Sequence, residues 1–264
     1  MRKQTRQTGL ALALLLAAAD ARAEGCPTAK DDIATDRPSV ANSSLVVPTG
    51  SFLSENGVDF SAADGSRMID GTNTRWRLGI APCLEVLVDL PSYSATIAGP
   101  ASSGFSDVGP AIKWQISPVP GKIDLSIIAG AKLPTGALAI AGPGTQPYLQ
   151  APWTWAFDDG WGIGGMLSEY FRPQDASSRS TTEATFLIQK NLTPKATLFV
   201  EYVGDYPENG GPSHLLNSGG TFRITPTQQI DFHIAFGLNH NAPNYVVGAG
   251  YSFRLDGLFA GQPK

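Results

Sequence analysis

The chain has 264 residues, of which 16% are charged and 42% hydrophobic, with a net charge of -4 and a mean hydropathy of -0.06. That hydrophobic fraction excludes global disorder, and two cysteines exclude a disulfide-dense mini-protein. The acidic balance (sequence pI about 5.3) argues against a nucleic-acid binder, which carries a basic footprint.

Residues 1–23 read as an export signal. Arg2, Lys3 and Arg6 form a positive start, Leu10 to Ala19 an apolar stretch, and Ala21-Arg22-Ala23 a small-x-small cleavage site. The apolar run is too short to span about 30 Å of hydrocarbon. Cleavage before Glu24 leaves 15 basic against 22 acidic residues, a balance of -7. No later stretch is long and apolar enough for a transmembrane helix. The mature chain is therefore expected to be either a soluble exported protein or a membrane β-barrel. Residues 24–50 are expected as a periplasmic or plug-like segment, 51–255 as the barrel and 256–264 as a tail.

From residue 51 onward the dominant period is two, the mark of strands with unlike faces. Twelve strands are predicted, near 51–61, 72–80, 84–97, 105–117, 121–133, 147–157, 160–171, 180–190, 195–205, 214–224, 228–239 and 244–254. In one of them Ile230, Phe232, Ile234, Phe236 and Leu238 oppose Asp231, His233, Ala235, Gly237 and Asn239. Many of the strands are near ten or eleven residues long. That length suits a tilted bilayer crossing, with apolar side chains toward lipid and polar ones toward the lumen.

The connections alternate in length. Ala81 to Cys83, Ser117 to Gly121, Asp158-Asp159, Asn191 to Pro194 and Thr225 to Thr227 are short. The stretches 62–71, 98–104, 134–146, 172–179 and 206–213 are longer, while the last one, Asn241 to Pro243, is short. Short inner turns and longer outer loops are the pattern of an outer-membrane barrel, and this parity puts both termini in the periplasm. Trp153, Trp155, Phe157 and Trp161 bracket one inner turn, as an aromatic girdle would. A soluble β-sandwich with core aromatics is the competing architecture.

The polar face supplies the candidate lumen-lining residues: Arg75, Arg77, Glu85, Asp89, Lys113, Asp124, Glu183, Glu201, Arg223, Asp231 and His233. Glu55, Asp59, Asp107, Lys132 and Asp205 share that face. Both signs are present, so a closed lumen laced by ion pairs and a narrow polar channel both fit. About twelve strands make a wider barrel than the eight-stranded type that side chains fill, which favours a channel. Residues 24–50 or the 134–146 loop are candidates to close it. His214, His233 and His240 have no metal-ligand spacing, and no cofactor or metal is expected. His233 falls on the lumen face, which disfavours a lipid hydrolase with a Ser/His pair on the outer wall. Gly160, Gly162, Gly164 and Gly165 lack the βαβ setting of a nucleotide fingerprint. Cys26 and Cys83 fall on the periplasmic side, where an oxidising space favours a disulfide.

Several segments resemble one family of outer-membrane barrels, grouped as the putative meta-pathway of phenol degradation. They are Ile33-Ala34-Thr35-Asp36-Arg37-Pro38, Val47-Pro48-Thr49-Gly50 with the strand that follows, Phe105-Ser106-Asp107-Val108-Gly109, Leu133-Pro134-Thr135-Gly136, and Gly250-Tyr251-Ser252-Phe253-Arg254. The resemblance implies an outer-membrane barrel taking up small organic compounds, aromatic ones among them, and implies no catalytic residues. The expectation is thus an all-β, antiparallel up-and-down transmembrane barrel that is not an enzyme. It would sit in the bacterial outer membrane as a passive channel, with lipids, a small organic solute and the barrel assembly machinery as partners. The alternatives are a closed structural or adhesive barrel, a barrel lipid hydrolase and a soluble periplasmic β-sandwich binding protein.

Overall fold

A computed structural model describes residues 32–119, 123–172 and 179–259. The signal-like residues 1–23, Cys26 and residues 260–264 lie outside the described residues.

The strands are β1 (Phe52–Ala63), β2 (Ser66–Gly71), β3 (Arg75–Ala81), β4 (Leu84–Asp89), β5 (Tyr93–Ala98), β6 (Ser103–Phe105), β7 (Gly109–Val119) and β8 (Ile123–Lys132). They continue with β9 (Gln146–Ala156), β10 (Trp161–Phe171), β11 (Ser180–Asn191), β12 (Ala196–Pro207), β13 (Ser213–Thr225), β14 (Gln228–Gly237) and β15 (Tyr245–Leu255). All belong to one antiparallel sheet, and β15 pairs with β1 from Phe52↔Leu255 to Ala62↔Tyr245. The sheet therefore closes on itself, which excludes a two-sheet sandwich.

The fifteen segments make twelve passes of the wall. The foot of β1 pairs with β3 and its upper half with β2, so β2 and β3 are one pass interrupted at 72–74. In the same way β4 and β5 are interrupted at 90–92, and β6 and β7 at 106–108. Pro91 has no N–H to donate at the middle break. The Leu90 N–H still reaches the Thr74 carbonyl at 2.9 Å, and the Ser106 N–H reaches the Ser92 carbonyl at 2.8 Å, so the three passes stay joined.

One expectation is corrected here. Residues 62–71 are not a long outer loop. The wall runs on to Ala63, turns on Asp64 and Gly65, both at positive φ, and returns as β2. An Asp-Gly pair meets the demand of a two-residue hairpin for φ > 0 at both central positions. The charged Arg67 and Asp70 had masked the continuation of the strand.

Side chains divide by face as the alternation requires. On β14 the outward Ile230, Phe232 and Phe236 are exposed, while Gln229, Asp231 and Ala235 are buried. Val58, Ile112, Leu167, Phe186, Leu198 and Phe222 extend the outward apolar belt around the wall. The interior is filled differently from that of a soluble domain. Its largest fully buried side chains include Arg77, Lys113, Glu55, Glu85 and Glu201, next to an apolar cluster of Leu87, Ala111, Ile128 and Tyr148.

Residues 32–50 lie inside this wall, mostly in irregular conformation. The Ile33 N–H donates to the Pro226 carbonyl, and at the other end the Gly50 N–H donates to the Gly79 carbonyl, in both cases near the inner turns. The segment thus rises from the end of the short turns, touches the wall inside, and returns to the same end to begin β1.

A charge on the outward face should be costly in lipid. Phe232→Arg is expected to lower the folding free energy in lipid vesicles by about 2–4 kcal/mol, the cost for Arg near the bilayer midplane. A urea titration giving no loss would place Phe232 away from lipid.

Candidate functional site

The lumen is built around the carboxylate of Asp36. Its Oδ1 accepts from Arg77 Nη1 at 3.2 Å, from Lys113 Nζ at 3.1 Å and from the Ser43 N–H at 2.9 Å. Its Oδ2 accepts from Arg75 Nη1 at 3.0 Å. Arg77 in turn donates from Nε to Glu85 Oε1 at 3.0 Å, from Nη1 to Glu55 Oε1 at 3.0 Å and from Nη2 to the Leu45 carbonyl at 2.8 Å. Arg75 grips Asp89 through two bonds of 2.6 and 3.1 Å. Glu55, Arg77, Glu85 and Lys113 expose no surface.

Four carboxylates meet three cations: those of Asp36, Glu55 and Glu85, buried, and of Asp89, partly exposed, face Arg75, Arg77 and Lys113. Burial alone would raise the Asp36 pKa, but Arg77, Lys113 and Arg75 outweigh it and hold the carboxyl well below the usual carboxylate range. A depressed carboxylate stabilises the fold fully above its ordinary pKa of about 3.9, and the contribution is lost only in stronger acid.

The same side chains satisfy backbone donors of the segment. Glu55 accepts from the Asp36 and Arg37 N–H groups at 2.9 Å. Glu201 accepts from Val40 at 2.8 Å and Ala41 at 2.7 Å, and is itself held by Asn217 at 3.0 Å. Gln115 accepts from Val46 at 3.1 Å and Glu85 from Val47 at 2.5 Å. Ser126 donates to the Ser44 carbonyl, and Ser44 bonds Thr154.

Across the lumen Arg37 reaches Asp231 at 3.4 Å and lies 3.9 Å from Asp59. Its guanidinium rests on glycine: a Cβ at Gly57 would come within 2.2 Å of Cζ, and one at Gly250 within 2.6 Å of Nε. His233 lies 3.1 Å from Asp59 through Nε2 and 3.3 Å from Asn217 through Nδ1.

All eleven lumen candidates stand on the inner face. Arg75, Arg77, Glu85, Asp89 and Lys113 gather on Asp36. Glu201, Asp231 and His233 form the opposite group. Arg223 binds Asp32 at the inner rim, while Glu183 accepts from Ser168 and Tyr170 in the outer half. Asp124 stands near the inner end of β8, apart from both groups. Asp36, Arg37, Gln115 and Asn217 were not among the candidates. The adjacent opposite charges of Asp36-Arg37, in a segment without strand period, were the available signal. Cys83 is buried and disulfide-bonded, and its expected partner Cys26 lies outside the described residues. Among the described residues no group of three or more His, Cys, Asp or Glu is placed to hold a metal.

Space remains on both sides of the segment. An outer cavity of about 540 Å³ is bordered by Arg75, Asp89, Asp107 and Lys132, with Ile140 and Ala141 of the 133–145 loop at its edge. An inner cavity of about 400 Å³ is bordered by Ile33, Leu45, Leu187 and Phe199 and by the amides of Gln189 and Gln229.

Comparisons agree with this architecture. The model of the family described as "Putative MetA-pathway of phenol degradation" matches residues 35–255. A crystal structure of an outer membrane channel from Pseudomonas putida F1 superposes with a TM-score of 0.66 at 13% identity, covering 80% of this chain and 97% of that one. The NanC porin gives 0.54 at 11% identity, over 77% of this chain and 100% of that one. The KdgM porin gives 0.51 at 10% identity, over 75% and 98%. No curated protein matches the sequence.

Removing the central carboxylate should take one partner from each of three cations, leaving Arg75 with Asp89, Arg77 with Glu55 and Glu85, and Lys113 with Glu85 alone at 3.5 Å. Asp36→Ala is expected to destabilise the folded barrel by about 3–5 kcal/mol, the usual cost of breaking a buried ion pair by deleting one partner. A change below about 1 kcal/mol in a urea titration, the size expected of an exposed pair, would show that the cluster is not desolvated.

Proposed function

The chain belongs to the phenol-degradation family of outer-membrane barrels, and from that premise we propose that it is a passive channel for small organic solutes, aromatic compounds included. The observation that carries this is the pair of cavities, one on each side of the segment. Each falls within the range of about 300–1,000 Å³ usual for small-molecule pockets. The inner one sets Ile33, Leu45, Leu187 and Phe199 beside Gln189 and Gln229. Such a lining suits a solute with an apolar body and one or two hydrogen-bonding groups. Selectivity arises from this lining and from the charged mouth of the outer cavity rather than from a wide aqueous pore.

The rest of the proposal follows from export. Residues 1–23 are removed as a signal peptide, the assembly machinery inserts the barrel, and a Cys26–Cys83 disulfide ties the segment to the first inner turn. Mass spectrometry of the purified protein should then find a chain that starts at Glu24 and gains two thiols on reduction. A retained leader, or an unchanged thiol count, would remove those parts. The protein acts without catalysis. On the outer wall His214 shares a 2.8 Å bond with the Tyr202 hydroxyl instead of meeting a serine.

A second reading has one observation in its favour. The heart of the Asp36 cluster, formed by Glu55, Arg77, Glu85 and Lys113, exposes no surface, as it would in a permanently closed structural barrel. Reconstituted vesicles separate the two. The channel should admit small neutral phenols faster than protein-free vesicles do and give a measurable ionic current. A barrel that is silent in both assays is the closed one.

A further inference from the structure

The segment does not close the lumen evenly. Toward β1, β3, β4 and β7 it is joined to side chains that expose no surface, through Asp36, Leu45 and Val47. Toward β11–β14 the segment is held at separate points, by Glu201 at Val40 and Ala41 and by Gln229 at Thr35, and the inner cavity opens between segment and wall past Leu187, Phe199 and Thr221. Arg37 and Ser39 border both this cavity and the outer one. The barrier between the two spaces is therefore a single stretch of chain there.

Two of the arginines inside the barrel, Arg77 and Arg37, are held very differently. Arg77 makes six hydrogen bonds to five acceptor groups, between 2.8 and 3.2 Å. Arg37 has one bond at 3.4 Å and a looser pair at 3.9 Å. Its Nε and the Asp231 Oδ2 are both buried with no hydrogen-bond partner. Buried polar atoms are normally satisfied by protein groups or ordered water, and here the protein groups hold Arg37 far less firmly than Arg77. The Arg37 backbone is nevertheless fixed, because its N–H donates to Glu55. The glycine floor at Gly57 and Gly250 leaves the guanidinium without side-chain walls on that side. The result is a poorly anchored side chain on a firmly anchored backbone.

We infer that the Arg37 side chain is the gate of the channel, and that solute passes between the inner and outer cavities beside it, between the segment and β14. When it leaves the glycine slot, the outer and inner cavities join while the Asp36 cluster stays intact. The inference rests on the channel function proposed above and adds where passage occurs and what controls it.

Arg37→Ser tests it, since it removes the side chain and keeps the backbone bond to Glu55. Arg37→Ser/Asp231→Asn does the same with the local charge restored. Both should raise single-channel conductance and neutral-solute flux several-fold, with the heat-shifted gel mobility of the folded barrel unchanged. Arg37→Lys should stay near the parent. A role in charge balance alone would leave the double variant at parent conductance. The route is tested separately, without altering Arg37. Gln229→Cys should be reached by a small methanethiosulfonate reagent and lose current, whereas Ser126→Cys, on the sealed side, should not. A conducting parent with unchanged Arg37 variants, or block at Ser126→Cys alone, overturns the gate and leaves the channel standing. Silence of the parent and of every variant overturns both.

Discussion

Between Ala34 and Pro48 the backbone amides of the segment pair with no strand, and the organisation of the lumen follows from how they are satisfied. A buried N–H without a partner costs about 1–3 kcal/mol, so an irregular segment inside a barrel needs acceptors supplied by the wall. Glu55, Glu85, Gln115 and Glu201 supply them, each on a different strand. The carboxylates of Glu55 and Glu85 are neutralised in turn by Arg77 and Lys113, while Glu201 is held by the Asn217 amide. Asp36 closes the set, because it belongs to the segment and not to the wall.

A lumen rich in charge is therefore not simply a charged pore. Five of the expected lining residues converge on Asp36 and hold the segment in place. The space left for a solute is bordered largely by other groups, apolar and amide on the inner side and ionic at the outer mouth. Buried ion clusters are weak evidence for net stability but strong determinants of a single arrangement. Here the arrangement fixes the segment most densely toward β1, β3, β4 and β7 and at fewer points toward β11–β14.

The barrel itself was legible in the sequence, because period two over long strands, joined by loops of alternating length, suits few architectures besides a membrane barrel. Its twelve passes and the facing of β8, β14 and β15 follow directly from that alternation. The continuation of the wall through Ser66–Gly71 was not legible, because Arg67 and Asp70 interrupt the apolar pattern and the Asp64-Gly65 turn was read as part of a loop. At the site, the strand residues were readable as a face, but their partners were not. Alternation shows which side chains point inward and says nothing about what meets them there. Asp36 and Arg37 sit in a segment with no period at all, so only the three-dimensional arrangement joins them to Arg77 and Asp231. The difference between Arg77 and Arg37 is likewise one of bond geometry, which no pattern of residue types encodes.

The central claim is that residues 32–50 are held within the barrel by bonds from wall side chains to their backbone. Hydrogen exchange of the folded protein, followed amide by amide, tests it most directly. The amides of Asp36, Arg37, Val40, Ala41, Val46 and Val47 should exchange as slowly as those of the strands around them. Rapid exchange at these six positions in a barrel whose strands remain protected would contradict the claim.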